Sequence, residues 1–433
     1  MNRRSGITTR YFRHYEALED AFRRRIATLL PRKHAGTDRF WQDLHQLLQT
    51  GPDRRAGGLE HYITSNPRDC LAFGTPRQVL KAALMTTAPS AAALPWDGVA
   101  ARFGLQSHLN QPVRSLSGGE TVRVALAKAF IGAARADRLT IASPLSWLSL
   151  SNRRYFHDLA DHCGELGQAL EVFALEGEDS TQPAAGLTKP LTGPGFRLVF
   201  RKAGVVLTSL VDSLQSRRLR AAIDDAEFSL QSPCLIQGDN GQGKSLMVKA
   251  LAGVVLREGH AGLETEGRRG HVRLLLQDLI DQTLMRSFKQ MAVGIDAGAA
   301  VRVYDDIRTE MMAREVLDRD EVLPFDMRLA ARAPASLLEL KILLAAVRIA
   351  TTPAAIVLDE PDWGLRRASA MAFVAGVIQA AHQRGVAVLI ISHKPWWHPW
   401  AASFLHIRKA RPAPAASAGD LFRIRMERTM AAG

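Results

Sequence analysis

The sequence predicts an α/β protein made of two successive halves, each with a parallel-sheet core and accompanying helices. Three observations carry that expectation. In the second half, short apolar runs alternate with longer helical stretches, the pattern of strands joined by helical crossovers. The first half closes on the same alternation between Leu116 and Leu175. Between them, Glu178 to Phe196 combines Pro, Gly, Ser and Thr with little apolar content, as a connection between domains does.

The first half is the harder to read. Tyr11 to Leu30 has helical spacing, with Phe12, Leu18, Phe22, Ile26 and Leu29 near one face, and Thr75 to Phe103 reads as mainly helical. From Leu116 a helix leads to a strand at Leu139–Ile141, then a helix, then a strand at Val172–Leu175. In the second half the strands are Cys234–Ile236, Val272–Leu276, Ala355–Leu358 and Val386–Ile391, with helices following Lys244, Leu337 and Arg367. A Pro- and Ala-rich break at Ala410–Gly419 sets off an end, Asp420–Gly433, that reads either as flexible or as a late strand. The expected division is 1–177, a linker at 178–196, 197–410 and a tail at 411–433.

A chain of 433 residues, 47% hydrophobic and 23% charged, is long enough for two or three domains with buried cores, and disorder is not the expectation. Cys70, Cys163 and Cys234 stand far apart, so neither a disulfide framework nor a zinc site is expected, and a reducing cytosol fits. Met1 to Arg25 is too interrupted by charge for a signal peptide. The most apolar helical stretch, Ala368 to Ala381, is shorter than the roughly 20 residues a bilayer needs and reads as a core helix. A net charge of +13 suits nucleic acid, a ribosome, anionic lipid or simply a basic surface. No motif among the short Arg clusters indicates nucleic acid. Trp396, Trp397 and Trp400 read as packing rather than as a recognition surface.

Gly238-Asp-Asn240-Gly241-Gln-Gly243-Lys244-Ser245 follows a short apolar strand and precedes a helix, the context that a phosphate-binding loop requires. Its glycines let backbone N–H groups curl around phosphate oxygens, Lys244 reaches the β and γ phosphates, and Ser245 ligates Mg2+. ATP with Mg2+ is the expected ligand. Downstream, Asp359-Glu360-Pro361 ends an apolar strand. Asp359 is placed to hold Mg2+ and Glu360 to polarise an attacking water, an arrangement suited to hydrolysis.

These residues make Arg197 to Arg408 resemble a nucleotide-binding domain of the ATP-binding cassette family. The resemblance implies a P-loop fold of parallel sheet and helical subdomain. It gives Gln277 the role of sensing Mg2+ and the γ phosphate, and His393 that of the switch histidine. From about Thr75 to Glu176 the first half resembles the same family, because Leu116-Ser117-Gly118-Gly119-Glu120 reproduces its signature motif. That half is degenerate in this comparison. It contains no phosphate loop, and Ala142 and Ser143 stand where Asp359 and Glu360 stand. Counting 34 residues from Ala142 and from Asp359 pairs Glu176 with His393. The second half has the mirror defect, reading Ala335-Ser336-Leu337-Leu338-Glu339 where its signature belongs.

In this family each ATP lies between one half's phosphate loop and the other's signature. The resemblance therefore implies one competent site, in which Lys244, Ser245, Gln277, Asp359, Glu360 and His393 face Ser117, Gly118 and Gly119, with a single chain able to pair its own halves. It also implies an ATPase energising an integral membrane transporter subunit, cytoplasmic and peripheral at the inner face of a membrane, coupled through Leu279 to Met291. The alternative is a soluble family member that remodels a nucleic-acid, ribosome or protein complex. Two departures stand out: Val205 to Leu219 offers no aromatic residue for a base to stack on, and Arg366 replaces the aspartate that follows the family's catalytic glutamate.

Overall fold

The computed structural model describes residues 7–27, 60–71, 74–86, 95–113, 116–133, 136, 138–178, 180, 192–206, 220–265, 268–277, 296–314, 322–325, 327, 336–410 and 420–429. The chain divides into two compact units, Met1–Asp179 and Ser180–Gly433. The Leu279 to Met291 surface and most of Val205 to Leu219 lie outside the described residues.

The first unit runs β1 (Ile7–Phe12), α1 (Tyr15–Ala27), β2 (Glu60–Ile63), α2 (Pro76–Thr86), α3 (Trp96–Arg102), α4 (Gly118–Ala133), β3 (Arg138–Ala142), α5 (Arg154–Glu165) and β4 (Ala169–Leu175). Its strands form a parallel sheet in the order β1-β4-β3-β2. Leu18 and Phe22 of α1 are buried with Phe173 and Leu175 of β4, and the Phe22 ring meets Phe173 edge-on at 5.8 Å. This is the helical spacing seen in the sequence, except that Tyr11 and Phe12 belong to a strand. Helix α4 is buried along almost its whole length, which fits a segment whose apolar residues are not confined to one stripe.

The second unit runs β5 (Gly195–Val206), β6 (Arg220–Ile223), β7 (Ala226–Gln231), β8 (Cys234–Gln237), α6 (Lys244–Leu251), β9 (Leu256–Thr265), β10 (Arg268–Gly270), β11 (Val272–Leu275), α7 (Ala297–Ala313), α8 (Leu337–Ala350), β12 (Ala355–Asp359), α9 (Arg367–His382), β13 (Ala387–Ile391), β14 (Ser403–Ala410) and β15 (Asp420–Thr429). All four strands and all three helices read from the sequence are present. Strands β12 and β13 are buried on both faces, as strands covered by helices must be. Ile356, Leu358, Val388 and Ile390 join the helices α7, α8 and α9 on one side. The alternate residues Val357, Leu389 and Ile391 join α6 on the other.

The parallel core of the second unit has the order β8-β13-β12-β11, the same topology as β1-β4-β3-β2. Register makes the match residue by residue. Ala142 pairs with Phe173 as Asp359 pairs with Ile391, and Ile63 pairs with Ile141 as Leu275 pairs with Leu358. The likeness between halves therefore starts at Ile7 rather than near Thr75. Strand β1 and helix α1 stand where β8 and α6 stand, but only Arg13 and His14 connect them, whereas residues 238–243 connect β8 to α6.

The same register corrects one sequence assignment. Phe173 is level with Ile391, so the position of His393 in the first unit is Leu175, not Glu176. The stretch between β3 and β4 is one residue shorter than that between β12 and β13.

In the second unit a mainly antiparallel layer extends the core, in the order β10-β9-β5-β6-β15-β14 with β7 paired to β5 and only the β6–β15 pair parallel. The end of the chain is thus structural: β15 lies between β14 and β6. Likewise Glu178, taken above as the first linker residue, is buried in the first unit and accepts hydrogen bonds from Ser143 Oγ and the Leu175 amide, both at 3.1 Å. The three Trp side chains of 396, 397 and 400 are buried in the α7–α9 core.

Candidate functional site

Strand β8 ends at Gln237 and the chain then turns through Gly238, Gly241 and Gly243, at φ 152°, 80° and 95°, before α6 opens at Lys244. At Gly238 an added Cβ would lie 2.4 Å from the Ile407 carbonyl oxygen, and at Gly243 it would lie 2.8 Å from Ile424 Cδ1. Glycine is required at both by space as well as by backbone angle. Strands β14 and β15 thus form the wall against which this loop is folded. Gln242 adds a tie, its side-chain oxygen accepting a 2.5 Å hydrogen bond from the Lys409 amide. Lys244 is buried and its Nζ donates to the carbonyls of Gly238 at 2.6 Å and Asp239 at 3.1 Å. Asn240 is half-buried in the same loop, while Ser245 is exposed in the first turn of α6.

The ends of β12 and β13 bring the acidic residues and the histidine to that loop. Ser245 hydrogen-bonds the Asp359 carboxylate, and His393 Nδ1 lies 2.9 Å from Glu360 Oε1. Burial raises the Asp359 carboxyl to about 6, with the neighbouring Glu360 charge adding to the shift. Burial also works against ionised Glu360, but His393, Lys244 and Lys394 outweigh it and hold that carboxyl below its usual range. Three buried atoms around this point have no hydrogen-bond partner: Asp359 Oδ1, Glu360 Oε2 and His393 Nε2. Buried polar atoms are rarely left so, and three at one place mark where a ligand's polar groups belong. A carboxylate oxygen and a serine hydroxyl are oxygen donors of the kind Mg2+ takes. Gln277 is half-buried two residues past the last paired residue of β11, as Glu360 is two past Leu358, and makes no hydrogen bond to this described cluster.

No protein-family model matches the chain. A structure described as RNase-L inhibitor matches with a TM-score of 0.50 at 15% identity, over 98% of this chain and 85% of its own. A chain of a ribosome-bound archaeal Pelota and ABCE1 assembly matches with a TM-score of 0.55 at 15% identity, over 98% of this chain and 74% of its own. An uncharacterized ABC transporter ATP-binding protein of Mycobacterium tuberculosis is 26% identical over 321 residues, covering 67% of this chain. The fold is that of an ATP-binding cassette ATPase with two fused halves. The chain spans 44% of the length of the curated relatives it matches.

The cassette halves differ most at their helix starts and strand ends. In the first, Ser117 caps α4: Glu120 N donates to Ser117 Oγ at 3.3 Å, and Ser117 N donates to Glu120 Oε2 at 2.8 Å. In the second, Ser336 and Glu339 make the same reciprocal pair at the start of α8, at 3.1 and 3.0 Å. The capping box survives in both, so the two helices begin alike. What differs is the pair between Ser and Glu, Gly118-Gly119 against Leu337-Leu338, and only the glycines leave the first-turn amides open to close approach.

At the strand ends, Ser143 takes the place of Glu360, and its hydroxyl donates to Glu178. Ser65 takes the place of Gln277. It is buried and its hydroxyl bonds Glu19 and, at 2.8 Å, Tyr15. In the first half these positions are thus tied to neighbouring side chains, although Glu178 Oε1 is itself buried without a hydrogen-bond partner. Sequence reasoning missed Glu178, Ile424 and two buried residues near Glu360: Asp362, which accepts a hydrogen bond from Ser392 Oγ, and Lys341, whose Nζ donates to the Pro361 carbonyl oxygen. A lysine inside the apolar run Leu337-Leu-Glu-Leu-Lys341-Ile-Leu-Leu was the one visible signal.

Proposed function

We propose that this cassette protein hydrolyses ATP at one composite site and uses the closure of that site to drive a partner. The observation that carries the reading is the convergence of the unpartnered Asp359 Oδ1, Glu360 Oε2 and His393 Nε2 beside the loop of Lys244. The loop amides and Lys244 bind the β and γ phosphates. Ser245 and Asp359 hold Mg2+, which when bound offsets phosphate charge, and Gln277 completes that end of the site. Glu360 Oε2 accepts the proton of the attacking water as its oxygen bonds to the γ phosphorus. The bond from that phosphorus to the β–γ bridging oxygen breaks, leaving ADP and phosphate. His393, tied through Nδ1 to Glu360, turns Nε2 toward the γ phosphate.

The first half is degenerate in this reading. The two-residue connection at Arg13 and His14 has no room for a phosphate cradle. It contributes Ser117, Gly118 and Gly119, whose helix N-terminus favours the negative γ phosphate. Linkage in one chain keeps that element at high effective concentration. Steady-state ATPase assays on the full chain with Mg2+ test the reading. Turnover lost in Lys244→Ala and Glu360→Gln supports it, and turnover unchanged in both overturns it.

For the partner we propose an integral membrane transporter subunit, supported by the likeness to a mycobacterial ABC transporter ATP-binding protein. Among the described residues no helix is long and apolar enough to cross a membrane. A second reading, remodelling of a ribosome or other nucleic-acid complex, is favoured by the ribosome-bound assembly matched over 98% of the chain and by the charge of +13. Affinity capture from solubilised membranes, run beside ribosome cosedimentation at graded salt, separates the two.

A further inference from the structure

Helix α8 carries a lysine where an apolar helix packs against the sheet. Lys341 is 2% exposed, and its Nζ donates to the Pro361 carbonyl oxygen at 2.7 Å. Pro361 directly follows Glu360, which is held at φ 48°. The Asp362 and Glu360 carboxylates both act on the Lys341 charge. Asp362 is itself buried and accepts a 3.2 Å hydrogen bond from Ser392 Oγ. Burying an ammonium is costly unless it is paired and hydrogen-bonded, so packing alone does not account for this residue.

The first half supplies the comparison. Counted from the two capping serines, Ser117 and Ser336, Val122 corresponds to Lys341. Counted from the two strand ends, Ser143 and Leu145 correspond to Glu360 and Asp362. Both helices begin with the same capping box, and both turns follow a left-handed residue. Val122 is buried like Lys341, so this position is filled by a valine where the turn carries no acid and by a lysine where it carries Glu360.

We propose that Lys341 is a positioning residue for ATP hydrolysis, gripping from α8 the turn that presents Glu360 to the attacking water. The proposal rests on the hydrolytic reading above. Having lost the glycines of a phosphate-facing start, α8 keeps a link to the reaction through its second turn, and any movement of α8 moves Pro361 with it.

The test uses the full chain with MgATP and three proteins: wild type, Lys341→Met, and the double variant Lys341→Val with Asp362→Leu, which installs the first half's own pair. The expected result is a fall in kcat of about 10- to 100-fold in both variants, the scale of a misplaced catalytic group. KM for MgATP should stay within about twofold, and the double variant should melt at or above the temperature of the single one. A wild-type kcat in the double variant, or a raised KM with kcat unchanged, overturns the proposal by showing that Lys341 only neutralises Asp362. If Lys341→Met does not fold, the double variant decides alone. A wild type without turnover would instead refute the hydrolytic reading.

Discussion

Ser143 and Glu360 occupy the same place in the two halves, each one residue past the end of its central strand and each in left-handed backbone, at φ 45° and 48°. Neither is glycine, so each turn stores strain of about 1–3 kcal/mol. Each is closed by a hydrogen bond to the neighbouring strand, Ser143 N to Phe173 O at 2.7 Å and Glu360 N to Ile391 O at 2.9 Å. The turn is therefore a property of the shared sheet, and the side chain on it decides what the turn does. Glu360→Gln keeps the turn and removes the proton acceptor. It should lower kcat by about 10²- to 10⁴-fold, the range for loss of a general base, while ATP affinity measured by calorimetry stays near wild type.

Gly118→Asp separates folding from function in the first half. An acidic residue in the first turn of α4 suits the helix dipole and should leave stability unchanged or raised by about 0.3–1 kcal/mol, read as an equal or slightly higher melting temperature. The same charge repels a γ phosphate, so ATPase turnover should fall by at least about tenfold while the second half still binds ATP. A variant with normal turnover would show that α4 does not meet the nucleotide.

Ile424 is fully buried, and its side chain occupies the space a Cβ on Gly243 would need. Ile424→Ala should cost about 2–5 kcal/mol of stability, read as a shifted denaturant midpoint, and should weaken ATP binding because the wall behind the phosphate loop recedes. A chain ending at Ala410 should bind no ATP. Retained affinity would mean that β15 does not shape the loop.

Lys341 gives a pH signature. Burial lowers its ammonium pKa to about 7, against 10.5 in the unfolded chain, with Asp362 and Glu360 opposing the shift. Between these values the unfolded chain binds more protons than the folded one, so stability rises with pH. The contribution is most unfavourable below about pH 7 and vanishes above about pH 10.5. The stability difference between wild type and Lys341→Met should therefore change in favour of wild type as pH rises from 7 to 10. A difference independent of pH would mean that folding leaves the lysine pKa unchanged.

The second half was legible because its chemistry is written in consecutive residues: Gly238 to Ser245 and Asp359-Glu360 sit at strand ends, and apolar runs mark the strands themselves. The start of the first half was not. With only Arg13 and His14 between β1 and α1, nothing marked Ile7–Phe12 as a strand, and Thr8 to Tyr11 are exposed rather than alternating. The assignment of Glu176 to the switch position failed because counting along the chain cannot see a one-residue difference between β3 and β4, whereas pairing register can. Ile424 was invisible for another reason: its contact with Gly243 spans the whole second half.

The central proposal is one ATP per chain, bound by the loop of Gly238 to Ser245. The most direct test is the nucleotide stoichiometry of the Glu360→Gln chain with MgATP, read by native mass spectrometry. A single bound ATP per chain, absent in Lys244→Ala, is the expected result; two per chain, or one that persists in Lys244→Ala, would contradict it.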